Sequence, residues 1–271
     1  MRKLQVLRAD HSIKQGAKCV DSLATVTDSC EIWDEDEYIG VYLRGLKSAY
    51  PKLSALTEIA DREFISKRVP KTLLERSDVL QKQRDLGITR AQAKKLGTVQ
   101  YSTILGSIPP KPVFQRNHIS RSAVHLHEEA KNYIKAMYQA AKEIEAVYKE
   151  VIPHQYNFQK KAVSHVEEKW RFGDLFTSTI SNYNIAAPYH RDKLNIEGSC
   201  NAIITKRKNS RGGSLSVPDY SAVFEQADDS LLIYPAWRNI HGVTPIIPTH
   251  DGGYRNSFIW YALKAFVKNN G

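Results

Sequence analysis

Apolar residues recur at three- and four-residue spacing between Glu128 and Glu150, which predicts a long amphipathic helix. The recurring residues are Tyr133, Met137, Ala140, Ala141, Ile144 and Tyr148. We expect this stripe to pack on the back of a sheet and the helix to end before Pro153. A shorter helix is predicted from Asn157 to Glu168.

From Thr177 onward the pattern changes to short apolar runs separated by turn residues such as Asn-Ser-Arg-Gly-Gly and Asp-Gly-Gly. Many short strands at regular spacing indicate a sandwich or a jelly roll. The predicted strands are Phe176 to Ile185, Ser199 to Lys206, Gly213 to Val217, Ser221 to Glu225, Ser230 to Tyr234 and Ser257 to Phe266.

The first hundred residues mix the two patterns. Strands are predicted at Leu4 to Leu7 and at Tyr38 to Leu43. Three short helices are predicted: one around Ile59 and Phe64 that ends at Pro70, one from Leu73 to Leu80, and one from an N-cap at Thr89 to Gly97.

Composition describes an ordinary globular chain with a basic surface. The 271 residues are 42% hydrophobic and 25% charged, with a net charge of +10. Such a charge favours either simple solubility or a polyanion partner, nucleic acid before membrane. Three cysteines, Cys19, Cys30 and Cys200, form no CxxC pair, which argues against a disulfide framework and for a reducing compartment. We find no signal-peptide pattern and expect a cytoplasmic protein.

Lysine and arginine are concentrated between Lys71 and Arg121, where acids are few. For each of these cations a solvated surface position competes with a phosphate contact on a nucleic acid. The candidates for DNA backbone contacts are Arg84, Arg90, Lys94, Lys95, Lys111, Arg116 and Arg121.

The residues that carry chemistry begin at Tyr189. His190 and Asp192 are two apart, so on a strand both side chains would share a face. His241, from a distant strand, would complete two histidines and one carboxylate around a metal. Such a set leaves adjacent coordination positions open, as in non-haem Fe(II) oxygenases.

Arg255 and Ser257 share a face of the last predicted strand. A guanidinium and a hydroxyl together suit the distal carboxylate of a dicarboxylic acid. With the metal ligands, they indicate a dioxygenase that uses Fe(II) and 2-oxoglutarate.

Four segments resemble the TET/JBP dioxygenases. His190-Arg191-Asp192-Lys193-Leu194-Asn195 followed by Gly198 is similar to their HxDxxN…G element, and Gly212 to Pro218 is similar to their GGxLxxP hairpin. His241 to Ile246 resembles their distal histidine segment, and Arg255-Asn256-Ser257 resembles their RxS clamp. The resemblance is strong from about Phe176 to Phe266, loose from about Tyr101 to Trp170, and not seen in the first hundred residues.

The resemblance implies an α+β fold with a double-stranded β-helix core, jelly-roll and cupin-like, braced by helices on one face. We expect residues 1–88 to form an accessory segment packed on the core and residues 89–271 to form the dioxygenase domain. Small stand-alone members of this family occur in phages and microbes, so the cytoplasm would be the host's if a phage encodes the protein. A monomer is expected, without membrane contact.

The resemblance also implies a reaction: hydroxylation of the 5-methyl group of a pyrimidine in DNA, by base flipping and a ferryl intermediate. His190, Asp192 and His241 would bind Fe(II) and form the catalytic centre. The co-substrates would be 2-oxoglutarate and O2. Arg255 and Ser257 would bind 2-oxoglutarate, with Asn182 or Asn184 as further contacts.

Two residues are implied for the base itself. Asn195 matches the family position that hydrogen-bonds the base edge, and Tyr261 could stack on the flipped ring. The alternatives are that Asn195 caps a turn and that Tyr261 is an aromatic residue of the core.

The favoured substrate is 5-methylcytosine in DNA, giving 5-hydroxymethylcytosine. Thymine hydroxylation to 5-hydroxymethyluracil is the alternative within DNA. The same chemistry on a free nucleotide or an RNA base, and a DNA reader without turnover, are the other hypotheses.

Overall fold

The strands of this protein lie mostly in its second half. The computed structural model describes residues 1–9, 11–74, 86–92 and 99–267. The α-helices described are α1 (Leu46–Ala49), α2 (Pro51–Ile65), α3 (Lys131–Val151) and α4 (Pro153–Ser164). The strands are β1 (Arg2–Gln5), β2 (Cys30–Asp34), β3 (Glu37–Leu43), β4 (Thr72–Leu73), β5 (Tyr101–Ile108), β6 (Ser120–Arg121), β7 (Ser178–Tyr183), β8 (Ala187–His190), β9 (Asn201–Lys208), β10 (Ser210–Gly212), β11 (Leu215–Val217), β12 (Ala222–Phe224), β13 (Ser230–Tyr234), β14 (His241–Val243), β15 (Ile246–Pro248) and β16 (Tyr254–Tyr261).

Two sheets alternate along the chain. The large sheet has the order β1-β2-β3-β13-β9-β16-β7-β5-β4, with β6 paired to β5, and the small sheet has the order β12-β11-β14-β8. From β7 onward the chain passes from the large sheet to the small sheet and back, through β8, β9, β11 and β12, β13, β14 and β16. This winding is a double-stranded β-helix, and the predicted fold class is confirmed.

The large sheet is buried on both faces. On β16, Phe258 and Trp260 belong to the core that includes α2 and α3, and alternate residues face the small sheet. Within the described residues, the α-helices therefore cover the face of the large sheet that carries Phe258 and Trp260, as predicted. The opposite face, between the sheets, is where Arg255, Ser257 and Tyr261 line a cavity.

The amphipathic stripe of α3 is buried as its spacing predicts. All six residues of that stripe are at most 1% exposed. The Tyr133 hydroxyl shares a hydrogen bond with Ser181 on β7 at 2.6 Å, which ties the helix to the strand that precedes the metal-binding motif. α3 ends at Val151, and Pro153 occupies the first turn of α4.

The N-terminal segment extends the large sheet and covers it. Strands β1 to β3 lie on the outer side of β13, and α2 packs against α3. A buried polar contact also holds α2, because Asp61 accepts hydrogen bonds from Tyr254 and Asn256 on β16. The segment thus packs on the core, and its definition as an accessory unit that ends at residue 88 stays a prediction.

Several predicted elements differ from the structure. The strand predicted from Ser257 to Phe266 is β16, Tyr254–Tyr261, and the helix predicted to end at Pro70 ends at Ile65. Leu73 lies in strand β4, where it pairs with Tyr101, so the helix predicted from Leu73 is wrong at its start. The first strand lies two residues earlier than predicted, and α4 begins at Pro153 because proline suits the first turn of a helix. The Thr89 hydroxyl accepts from the Gln92 N–H at 3.3 Å, as an N-cap should, but Gly97 lies outside the described residues.

Candidate active site

Two imidazoles meet where strands β8 and β14 pair. His190 and His241 are cross-strand partners, and their ring centroids lie 4.3 Å apart. Nδ1 of His190 donates to the Pro188 carbonyl at 2.8 Å, and Nδ1 of His241 donates to the Asn239 carbonyl at 3.0 Å. Because a carbonyl only accepts, each ring carries its proton on Nδ1 and keeps a lone pair on Nε2. This is the tautomer in which Nε2 can bind a metal.

The Asp192 carboxylate lies within reach of both Nε2 atoms. Its Oδ1 is 3.5 Å from Nε2 of His190 and 4.0 Å from Nε2 of His241. Strand β8 ends at His190, so a loop and not a continuous strand carries Asp192. The Asp192 N–H donates to the Ala236 carbonyl at 3.1 Å, which holds that loop against the segment leading to His241.

A chain of two amides supports the carboxylate from behind. Asn201 Nδ2 donates to Asp192 Oδ2 at 2.8 Å, and Asn195 Nδ2 donates to Asn201 Oδ1 at 2.7 Å. Both asparagines are buried, at 2% and 4% exposure. An acidic ligand held by buried amides keeps its orientation when no metal is present.

Charge and burial act together on these groups. Burial alone would raise the pKa of Asp192, but the nearby imidazoles of His190 and His241 give a net lowering. The nearby Asp192 carboxylate raises the pKa of His190 despite the opposing effect of burial. Burial lowers the pKa of His241, which favours the neutral imidazole that metal binding needs.

The donor set fits iron. Each of the three residues offers one ligand atom, and these atoms lie within 4.8 Å of one another. Two imidazoles and one carboxylate on one side of an ion leave the other positions free for ligands. The lone pairs on Nε2 and the ionised carboxylate are the forms in which these side chains bind a divalent cation.

Arg255 lies in the same cavity and lacks an anionic partner. It is 2% exposed, its Nε has no hydrogen-bond acceptor, and within the described residues it forms no ion pair. Its Nη1 donates a long bond of 3.4 Å to Ser257 Oγ. Burial and the nearby charge of Arg207 lower the pKa of Arg255 to about 9. A buried, unpaired guanidinium is costly, so the site is suited to bind an anion.

The two candidate asparagines for co-substrate binding separate in the structure. Asn182 on β7 lines the cavity, and its Oδ1 accepts from Ser102 at 3.0 Å. Asn184 does not line the cavity, because its side chain turns to the backbone. Its Oδ1 accepts from the Arg255 N–H at 2.9 Å, and its Nδ2 donates to the Val99 carbonyl at 3.2 Å. Asn184 therefore positions strand β16 and is left out of the co-substrate site.

The two candidate base contacts, Asn195 and Tyr261, both line the cavity. Asn195 also pairs as an isolated bridge with Leu263, which brings the loop after Asp192 next to the end of β16. Tyr261 is the last residue of β16 and lies opposite Ser178 on β7. Both residues therefore lie near the C-terminal end of β16, whereas Arg255 lies near its N-terminal end.

The predicted contacts to DNA phosphates stay predictions. Arg84, Lys94 and Lys95 lie outside the described residues, and Arg90 is exposed. Arg116 donates to the Pro109 carbonyl at 3.0 Å, and Arg121 donates to the Lys169 carbonyl and the Tyr138 hydroxyl. None of the described ones lines the cavity. Arg116 and Arg121 brace loops in this structure.

Sequence reasoning missed the N-terminal contribution to the site. The Gly16 N–H donates to the Tyr189 carbonyl at 2.7 Å, and the Tyr189 N–H donates to the Ala17 carbonyl at 2.9 Å, so this segment covers the free edge of β8. Gln15 lines the mouth of the cavity. These contacts are tertiary, and no periodicity or motif in the first twenty residues signals them.

The metal ligands and Arg255 share one cavity of about 490 Å³. That volume falls in the range of about 300 to 1,000 Å³ typical of small-molecule sites. Its wall is mainly apolar, with the polar groups at separate points. The larger branched apolar residues that line it include Ile180, Ile203, Leu215, Val243, Ile259 and Leu263.

A double-stranded β-helix with two histidines, one carboxylate and a buried arginine in one cavity defines the class of Fe(II)- and 2-oxoglutarate-dependent oxygenases. The family follows from the sequence. The Tet_JBP family model, the oxygenase domain of the 2OGFeDO superfamily, matches residues 114–264, and the chain belongs to this family. It is therefore a dioxygenase that uses Fe(II), 2-oxoglutarate and O2.

Two solved structures are similar to this chain. NgTET1 in complex with 5mC DNA matches with a TM-score of 0.55 at 11% identity, over 93% of this chain and 84% of that one. A 2OG-Fe(II) oxygenase family oxidoreductase from Burkholderia pseudomallei matches with a TM-score of 0.44 at 13% identity, over 83% and 84%. At such identities the likeness concerns the fold alone. No curated protein matches the sequence significantly.

No helix in the described part of the chain combines the length and apolar character needed to cross a membrane.

Proposed function

We propose that this dioxygenase hydroxylates the 5-methyl group of 5-methylcytosine in DNA. The observation that carries the proposal is a single cavity with the three ligand atoms in one part, Arg255 in another and a polar mouth beside Asn195. NgTET1, which shares the fold, was solved with 5mC DNA.

Different residues of the chain would bind the iron, the co-substrate and the base. His190, Asp192 and His241 would hold Fe(II), which, with O2 and 2-oxoglutarate bound, would supply the oxidising power to break a methyl C–H bond that has no acidic proton. Arg255 and Ser257 take the distal carboxylate of 2-oxoglutarate. The apolar wall keeps water away from the reacting methyl group.

The hydrogen bonds that link Asp192, Asn201 and Asn195 fix the orientation of the Asn195 amide. The ionised Asp192 only accepts hydrogen bonds, so Asn201 must present Nδ2 to it and Oδ1 to Asn195. Asn195 then uses one N–H of Nδ2 as donor and keeps the second N–H and Oδ1 for a ligand. Next to the 5-methyl group, cytosine offers an amino donor at position 4, whereas thymine offers an acceptor. The orientation of the amide therefore suits both bases, and the preference for cytosine is supported by the fold shared with NgTET1, which was solved with 5mC DNA.

Access to the cavity requires an extruded base, since a stacked methyl group cannot reach ligands that lie inside the cavity. The mouth carries cations suited to the flanking phosphates: Arg191 and Lys193 line it, are exposed, and form no ion pair within the described residues. Leu194 between them and Asn195 is 65% exposed. An exposed apolar side chain flanked by cations fits a DNA surface with a gap in its base stack.

The test uses product analysis. The protein is incubated with Fe(II), 2-oxoglutarate and DNA that either contains or lacks 5-methylcytosine, and the digested nucleosides are identified by mass spectrometry. We expect 5-hydroxymethylcytosine from methylated DNA only. Formation of 5-hydroxymethyluracil instead would assign thymine as the substrate. Product from free nucleotides or RNA but not from DNA would move the same chemistry to those substrates, and binding of DNA without succinate release would identify a reader.

A further inference from the structure

Gln226 is a buried side chain with an unused donor in the active-site cavity. It follows strand β12 and is 1% exposed. Its Oε1 accepts a hydrogen bond from Thr205 Oγ at 2.9 Å, while its Nε2 is fully buried with no partner. A buried amide N–H₂ without an acceptor costs stability, and native proteins rarely keep one without a ligand or a function.

The sheet register places this donor beside the proposed anion site. Thr205 on β9 is the cross-strand partner of Ser257 on β16, and Arg207 is the partner of Arg255. Thr205 holds the amide of Gln226, and Gln226, Arg255 and Ser257 all line the cavity. Two buried donors, Gln226 Nε2 and Arg255 Nε, therefore lack acceptors in the same part of the molecule.

A carboxylate would satisfy both donors at once. It has two oxygens with about four acceptor positions, enough for a guanidinium, a hydroxyl and an amide together. Water could satisfy Gln226 but would leave the charge of Arg255 unpaired. The apolar residues Ile203 and Ile259 are cross-strand partners in the lining and suit the methylene groups of a dicarboxylic acid.

We propose that Gln226 donates a hydrogen bond from Nε2 to the distal carboxylate of 2-oxoglutarate and so helps to select a dicarboxylic over a monocarboxylic 2-oxo acid. The proposal rests on the assignment of Arg255 to that carboxylate. Thr205 has the supporting role: its hydroxyl occupies Oε1, which leaves the donor end of the amide toward the ligand.

The experiment compares two ligands without turnover. Binding of 2-oxoglutarate and of 2-oxopentanoate, which replaces the distal carboxylate by methyl, is measured by calorimetry on the full chain with Mn(II) in the absence of O2. Wild type should prefer 2-oxoglutarate. Gln226→Met should weaken 2-oxoglutarate by about ten- to a hundred-fold, as expected for one hydrogen bond to a charged group, and leave 2-oxopentanoate unchanged.

Two further variants make the outcome specific. Gln226→Glu keeps the shape of the side chain and adds a negative charge, like that of the ligand carboxylate. It should therefore weaken 2-oxoglutarate binding at least as much as Gln226→Met. If Gln226→Met does not fold, Gln226→Glu provides the test. Gln159→Met removes a buried amide elsewhere, where Nε2 donates to the Leu175 carbonyl, and should leave the preference for 2-oxoglutarate intact.

Unchanged 2-oxoglutarate affinity in both Gln226 variants, or an equal loss for both ligands, would overturn the proposal. If wild type shows no preference between the ligands, the assignment of Arg255 fails and the role of Gln226 fails with it. DNA is absent from this test, so its outcome is independent of which base the enzyme oxidises.

Discussion

A Cβ atom at Gly213 would lie 2.5 Å from Cδ of Arg255. The backbone of Gly213 has φ +69°, a conformation that residues with a Cβ rarely adopt. The arginine side chain therefore occupies the space that a side chain at Gly213, the second glycine of the Gly-Gly pair, would fill. Gly212 is constrained differently, since its Cβ would meet the Pro245 carbonyl oxygen at 2.1 Å.

Gly213→Ala should displace Arg255 and weaken 2-oxoglutarate binding by ten-fold or more, because misplacing a charged partner costs about 1.5 to 3 kcal/mol. Gly252→Ala is the matched control, with φ +70° and nothing within 4 Å of its Cβ. Both variants should share the backbone strain of about 1 to 2 kcal/mol, measured by denaturant unfolding. If calorimetry shows equal 2-oxoglutarate affinities in the two variants, the glycine has only a backbone role.

His190→Ala should abolish iron-dependent turnover and leave the fold intact. The side chain is partly exposed and its Nδ1 bonds only to the Pro188 carbonyl, so its loss removes little packing. Removing a group that only orients a metal ligand lowers metal affinity by about 10- to 100-fold. Removing the ligand itself should therefore lower metal affinity by at least 100-fold. Mn(II) titration followed by electron paramagnetic resonance measures this, with the exposed His250→Ala as control. Retained metal affinity would show that His190 is not a ligand.

Much of the site could be predicted because its signals are local in sequence. The spacing of His190 and Asp192, the turn glycines and the stripe of α3 are each readable within a short window. The apolar stripe of α3 packs on one face of the large sheet, which includes β16. Arg255 and Ser257 lie on the opposite face of β16 and therefore face the cavity.

Other parts depend on contacts between distant segments, which spacing does not encode. Gln226 gains its position only because Thr205 holds it, and Asn184 turns away because Val99 and the Arg255 backbone take its amide. Leu73 was predicted helical from nearby apolar residues, yet pairing with Tyr101 makes it a strand residue. Tertiary pairing overrides local propensity in such short elements.

Asn195→Ala should reduce turnover on methylated DNA more than the DNA-independent decay of 2-oxoglutarate to succinate. The loss of one hydrogen bond to the base predicts roughly a ten-fold drop in kcat/KM on DNA. Nucleoside and succinate analysis on the same samples separates the two rates. Equal loss of both would mean that Asn195 acts by holding Asn201 behind Asp192 and does not contact the base.

Asp61→Ala should destabilise the protein without touching the cavity. Asp61 is 4% exposed and accepts from the Tyr254 hydroxyl at 2.6 Å and from Asn256 Nδ2 at 2.8 Å. Removing it leaves the buried Asn256 Nδ2 without an acceptor, at a cost of about 1 to 3 kcal/mol, and also frees the partly buried Tyr254 hydroxyl. Urea unfolding should show the loss, while Asp251→Ala, at an exposed turn, should show none. An unfolding free energy like that of wild type would mean that water replaces the carboxylate.

His11→Ala should loosen the hold of the N-terminal segment on His241. His11 Nε2 lies 2.6 Å from Asp219 Oδ1, and Asp219 Oδ2 accepts from the Ile240 N–H at 2.9 Å and from Asn239 Nδ2 at 3.0 Å. Asn239 in turn accepts from Nδ1 of His241, so the pair orients a ligand through the backbone. Mn(II) affinity should fall by up to about ten-fold, the lower end for a residue that orients a ligand. His11→Gln, which can still donate to Asp219, should restore most of the affinity. If alanine and glutamine weaken Mn(II) binding equally, the ring of His11 acts by packing and not through Asp219.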